Sequence, residues 1–91
     1  MPMNAVWLKI DGDRVAHALQ EAREKLNGAG GEVVLDFSSV YRIDPRALRA
    51  MEGLAGMADY KEAKVVLGSV NVDIYKVAKL TKLARRFSFL T

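Results

Sequence analysis

The sequence contains no cysteine and only one histidine, His17, among its 91 residues. The lack of cysteine excludes disulfides, a thiol nucleophile and a cysteine-ligated metal. A zinc site would need three carboxylates beside His17, which we expect on a solvated helix face, so we predict neither a metal nor a cofactor. No apolar run is long enough to span a bilayer and residues 1–4 start no signal peptide, so we expect a cytoplasmic chain.

Acidic side chains are absent from residues 74–91, which carry five basic ones, whereas residues 1–73 carry nine basic and eleven acidic ones. Such a basic segment could bind nucleic acid or an anionic membrane surface. Tyr75 is the only aromatic residue in the helix predicted there, and lysines late in a helix also stabilise its negative end. We therefore interpret the segment as a solvated face. Its cations are Lys76, Lys79, Lys82, Arg85 and Arg86.

Short apolar runs separated by helical patterns predict strands at residues 5–10, 32–37 and 64–70. The run at 32–37, β-branched and preceded by glycines, is typical of a strand buried on both faces. Phe87-Ser88-Phe89 predicts a short last strand or a docked tail. Repeated strand–helix units predict an α/β fold. We expect one domain over residues 1–91, with a mostly parallel sheet of about four strands, three main helices and right-handed crossovers.

Apolar residues at helical spacing predict the three helices. The first follows Asp13, which can cap it, and ends at Asn27-Gly28. The second covers residues 45–60 behind a capping Asp44, and the third follows a capping Asn71. The side chains expected to face inward are Val15, Ala18, Leu19, Ala22 and Leu26, then Ala47, Leu48, Met51, Leu54, Ala55 and Ala58, then Ile74, Val77, Ala78 and Thr81.

The side of the second helix opposite its apolar stripe combines arginine, glycine and tyrosine at spacings of three and four. Two helical glycines each cost about 1 kcal/mol relative to alanine, and we expect nothing inside the domain to explain them. Glycine allows another backbone to approach, arginine pairs with carboxylates, and tyrosine is a common interface anchor. We therefore expect a protein partner against this face, whose residues are Arg46, Arg49, Gly53, Gly56 and Tyr60.

The segment before this helix has two interpretations. Asp44-Pro45 is a favourable helix start, because aspartate accepts orphan amides and proline has none to lose in the first turn. It can also be part of a protein contact.

Ser38 and Ser39 have no base nearby in sequence, so a turn is favoured over a nucleophile. Asp36 and Asp44 could approach each other for acid–base work or for magnesium, which is the least favoured reading.

The order of these features resembles the STAS domain family, whose members include anti-sigma factor antagonists. That family has a buried strand ending in Asp-hydrophobic-Ser, followed by Asp-Ser-Ser-Gly-Leu opening a helix. Here Asp36-Phe37-Ser38 matches the first part and residues 43–48 occupy the second. The family's closing Gly-Leu pair and later aromatic correspond to Lys82-Leu83 and Phe87. The resemblance covers roughly residues 5–90.

The resemblance implies a non-enzymatic protein-interaction module. The phosphorylation site that switches partner binding in the family is altered in this sequence. In the family, the serine after the aspartate is phosphorylated. Pro45 takes that place here, and Arg46 and Ala47 replace the next serine and the glycine. The implied partner is a kinase-like anti-sigma factor or a related switch component. The alternatives are an accessory subunit on a transporter ATPase and, from another class, a small nucleic-acid-binding protein.

Overall fold

Strands and helices alternate along the chain in the computed structural model, which describes residues 5–29 and 31–90. The residues bearing on a signal peptide, 1–4, lie outside that part. The strands are β1 (Ala5–Lys9), β2 (Glu32–Asp36), β3 (Lys64–Gly68) and β4 (Ser88–Phe89). The helices are α1 (Val15–Ala29), α2 (Pro45–Lys61) and α3 (Val72–Leu80), followed by a 3-10 turn at Leu83–Arg85.

The four strands form one parallel sheet in the order β1-β2-β3-β4, which confirms the predicted α/β class. Because crossovers between parallel strands are right-handed, this order places all three helices on the same face of the sheet. Val33 and Leu35 of β2 belong to the core shared with the helices. Val34 points to the opposite face, yet is only 4% exposed, so β2 is buried on both faces as expected.

The two ends of α1 differ from the prediction. The helix begins at Val15, and the carboxylate that accepts in the preceding turn is that of Asp11, whose Oδ1 receives the Asp13 amide at 2.9 Å. The proposal that Asp13 caps the helix is therefore wrong. The predicted stop at Asn27-Gly28 is also wrong, because the helix continues to Ala29. A glycine inside a helix costs only about 1 kcal/mol, which neighbouring turns can offset.

The other predicted helix starts are confirmed. Asn71 Oδ1 accepts from the Ile74 amide at 2.8 Å and caps α3, whose Ile74 and Ala78 are buried. The C-terminus of α2 has no glycine. Instead Glu62 adopts the left-handed conformation at φ 55 and donates its amide to the last turn, and Ala63 donates to Ala58 at 2.9 Å.

Lys82 also has a left-handed backbone, with φ 65 and ψ 12, immediately before the buried Leu83. A non-glycine residue there costs about 1–2 kcal/mol. The STAS resemblance places a glycine at this position. We expect Lys82→Gly to raise the free energy of unfolding by about 1 kcal/mol, measured by urea titration. Lys76→Gly, in the exposed middle of α3, is the control and should lower it by about 1 kcal/mol. Equal losses in both variants would contradict the argument.

Candidate partner-binding site

The loop between β2 and α2 is anchored at its start. Phe37 continues from β2, donates its amide to Gly68 O at 2.8 Å, and has a fully buried ring. The Val40 amide donates to Phe37 O at 2.9 Å, which closes a turn with Ser38 and Ser39 at its centre. This confirms the interpretation of the two serines as turn residues.

The two aspartates of this region are engaged by different backbone amides. Asp36 Oδ1 accepts from the Ser38 amide at 2.9 Å, whereas Asp44 Oδ1 accepts from the Ala47 amide at 2.8 Å. Hydrogen bonds from Ser38 lower the pKa of Asp36 below its ordinary value, and the nearby charge of Lys9 lowers it further. Within residues 5–29 and 31–90, no group of three or more potential ligands could hold a metal ion.

The lowered pKa of Asp36 predicts a pH-dependent contribution to stability. Because the folded state favours the carboxylate, this contribution is present above the pKa of the unfolded chain and is lost as pH falls through the lower folded value. Asp36→Asn should therefore be less stable than the unmodified chain near neutral pH, and the difference should shrink in acid. Urea titrations across the acidic range measure it, with Glu24→Gln on exposed α1 as the control. A constant difference at every pH would exclude an effect of charge.

Two neighbouring segments also hold the loop. The turn before α1 approaches so closely that a Cβ atom on Gly12 would lie 1.9 Å from Ser39 O. On the other side, Asn71 Nδ2 donates to Tyr41 O at 3.2 Å, which ties the start of α3 to the loop. The segment leading to α2 is therefore held on both sides, by the close approach of the Gly12 backbone and by the Asn71 side chain.

The N-terminus of α2 has the predicted construction. Asp44 occupies the N-cap with extended backbone, and its carbonyl accepts from Leu48 N at 2.9 Å. Pro45 is the first helical residue and is exposed. Capping by Asp44 is thus confirmed, whereas its role in a protein contact stays a prediction.

The predicted contact face of α2 is largely accessible. Arg46, Arg49 and Gly56 are exposed, and Tyr60 is 81% exposed. A Cβ atom on Gly56 would meet nothing within 4 Å, so no contact with the described residues explains this glycine. These positions form one continuous side of the helix, as their spacing predicted.

Gly53 is less accessible than the other residues of this face. It is half-buried, and a Cβ atom there would lie 3.4 Å from Nη1 of Arg23 on α1. This is an ordinary van der Waals distance to the end of a flexible side chain, so the contact does not require glycine, and the expectation that nothing inside the domain explains Gly53 stays a prediction. Arg23 joins the face from the adjacent helix, and no pattern within α2 could have indicated it.

The basic segment near the C-terminus is partly engaged within the chain. Arg86 forms an ion pair with Asp59 of α2, and Lys79 Nζ lies 5.9 Å from the centroid of the Tyr75 ring. Lys82 follows the end of α3 instead of lying within it. The charge available to nucleic acid is therefore smaller than the sequence alone indicates.

In the part of the chain that the structure describes, none of the helices combines the length and apolar character needed to cross a membrane.

The fold is of the class found in anti-sigma factor antagonist-like α/β domains. The crystal structure of a putative anti-sigma factor antagonist, TM1081 from Thermotoga maritima, aligns with a TM-score of 0.70 and 18% identity, covering 96% of this chain and 79% of that one. The NMR structure of the protein TM1081 gives a TM-score of 0.77 at 18% identity, covering 99% and 76%. No protein-family model and no curated protein matches the sequence. The structural likeness confirms the STAS-like fold.

Proposed function

We propose that this chain is a non-enzymatic protein-interaction module of STAS type that binds its partner on the exposed face of α2. The observation that carries the proposal is this accessible face, which begins at a loop held by backbone hydrogen bonds and by the side chain of Asn71. The arginines near the start of this face and the tyrosine at its end are residue types that dominate binding energy in interfaces. The face consists of Arg46, Arg49, Gly53, Gly56 and Tyr60, with Asp44 at its start.

The partner we propose is a kinase-like anti-sigma factor or another component of such a regulatory switch. The likeness to TM1081, described as a putative anti-sigma factor antagonist, supports this choice. Pro45 is exposed at the position where the resemblance places the phosphorylated serine, and proline has no hydroxyl. Binding would therefore proceed without phosphorylation at that position. The same face would also suit an accessory subunit on a transporter ATPase in the cytoplasm.

A single substitution tests the face. Gly53→Gln places a long side chain at its centre, where only the mobile end of Arg23 must move. We expect binding of the partner to fall at least about tenfold while the fold persists, because glutamine is the better helix former. Immobilised unmodified and Gly53→Gln chains are compared by capture from a lysate of the source cell, with quantitative mass spectrometry.

Lys76→Gln is the matched control, since Lys76 is exposed on α3, away from the proposed face. The partner should be retained by this variant and depleted with Gly53→Gln. Identification of the depleted protein as an anti-sigma factor or as a transporter ATPase decides between the two partner classes. Equal retention by both variants would place the interface elsewhere and refute the proposal.

A further inference from the structure

The packing of α1 against α2 leaves an open cleft of about 230 Å³ on the outer side of the two helices. Its base consists of half-buried small residues, and its margins are exposed arginines from both helices. Small side chains at the base leave the cleft accessible. The small residues are Ala16, Ala50 and Gly53, and the arginines are Arg23, Arg46 and Arg49.

Within the described residues, these three arginines are not neutralised by carboxylates. Among the side chains that the structure describes, none of them forms an ion pair with a carboxylate. Carboxylates that could pair with two of them are near in the sequence: Glu24 follows Arg23, and Glu52 is three residues from Arg49 on α2. No acidic residue lines the cleft itself. Three cations around one cleft repel one another, and an anion placed between them removes this cost.

The clefts that adjoin this one on either side contain carboxylates as well as basic groups. Towards the start of α2 the charged side chains of the adjoining cleft are of both signs: Asp13 and Asp44 lie beside Arg14 and Arg46, and His17 also lines it. Towards the other end, Glu24 and Met57 line the next part. Of these three clefts, the one between Arg23, Arg46 and Arg49 combines arginines with no carboxylate in its described lining, which favours a compact anion there.

We propose that this arginine cleft binds the phosphoryl group of a small phosphorylated molecule. Guanidinium groups present paired donors that match phosphate oxygens, and Gln20 adds an amide to the lining. The cleft is smaller than the roughly 300–1,000 Å³ typical of pockets for larger ligands. The proposal goes beyond the interaction function and does not depend on it, because it concerns the isolated chain and a free ligand.

The test is an NMR titration of the arginine Nε–Hε signals in the isolated chain. The probes are inorganic phosphate, pyrophosphate and O-phosphoserine, each compared with sodium chloride at equal ionic strength. We expect saturable shifts at Arg23, Arg46 and Arg49, with little change at Arg85. The probe that binds most tightly distinguishes a free ion, a diphosphate and a phosphomonoester as the source of the group.

Three variants make the outcome decisive. Arg49→Gln should weaken binding about tenfold, and Arg49→Lys should also weaken it, because lysine keeps the charge but loses the paired donors. Gly53→Gln should block the cleft with all three arginines present. Arg85→Gln, an exposed cation outside the cleft, should bind as the unmodified chain does. Shifts that do not saturate, or that Arg85→Gln reduces as much as Arg49→Gln, would overturn the proposal.

Discussion

Replacing Phe37 with alanine should lower the free energy of unfolding by about 3–5 kcal/mol. The ring is completely buried beneath the helices, at the point where β2 enters the loop to α2. Removing it forfeits the transfer energy of the ring and leaves a cavity that the surrounding core fills only in part. Small domains have a total stability of about 5–15 kcal/mol, so the variant should be close to unfolding. Urea titration followed by circular dichroism measures the change.

Tyr41→Ala is the matched control in the same loop. Tyr41 is 77% exposed. Its hydrogen bond from Asn71 is accepted by the backbone carbonyl, which the substitution keeps. The free energy of unfolding of Tyr41→Ala should stay within about 0.5 kcal/mol of that of the unmodified chain. Similar losses in the two variants would show that the Phe37 ring does not anchor the loop.

The second large effect is expected at Gly12. Gly12→Ala places a methyl group 1.9 Å from Ser39 O, and no side-chain rotation can relieve a clash with a backbone atom. The turn before α1 must then separate from the β2–α2 loop. We expect the free energy of unfolding to fall by about 2–3 kcal/mol in urea titrations.

Gly56→Ala provides the contrast, because a methyl group on Gly56 meets nothing within 4 Å. The free energy of unfolding of Gly56→Ala should rise by about 1 kcal/mol, because alanine has the higher helix propensity. If Gly12→Ala is as stable as the unmodified chain, the approach of the two loops is looser than the structure indicates.

Much of the fold could be predicted because its signals are local. Asp44 and Pro45 define the start of α2 through their own backbone chemistry, and the helical spacing from Ala47 onward defines its buried side. The ends of the strands were predicted less accurately than the start of α2. The third strand ends at Gly68, two residues before its predicted limit, because hydrogen bonding to neighbouring strands, and not the apolar run, decides where pairing stops.

The missed features depend on contacts between distant segments. The proximity of Gly53 to Arg23 arises only when α1 packs beside α2, and a single helical wheel contains no information on that packing. The ion pair between Arg86 and Asp59 likewise needs the last turn of the chain to return to α2. Sequence patterns therefore do not indicate the arginine cleft, although Arg46 and Arg49 lie on the contact face that those patterns predict.

The strand order also bears on how the chain folds during synthesis. Each strand pairs with the one made just before it: Ala5 with Glu32, Glu32 with Lys64, and Val66 with Ser88. Every pairing in the sheet therefore closes a single strand–helix–strand unit, which keeps contact order low for a parallel sheet. As the chain leaves the ribosome, β2 can meet β1 before β3 has emerged. The order of translation is thus also an order in which native pairs can form.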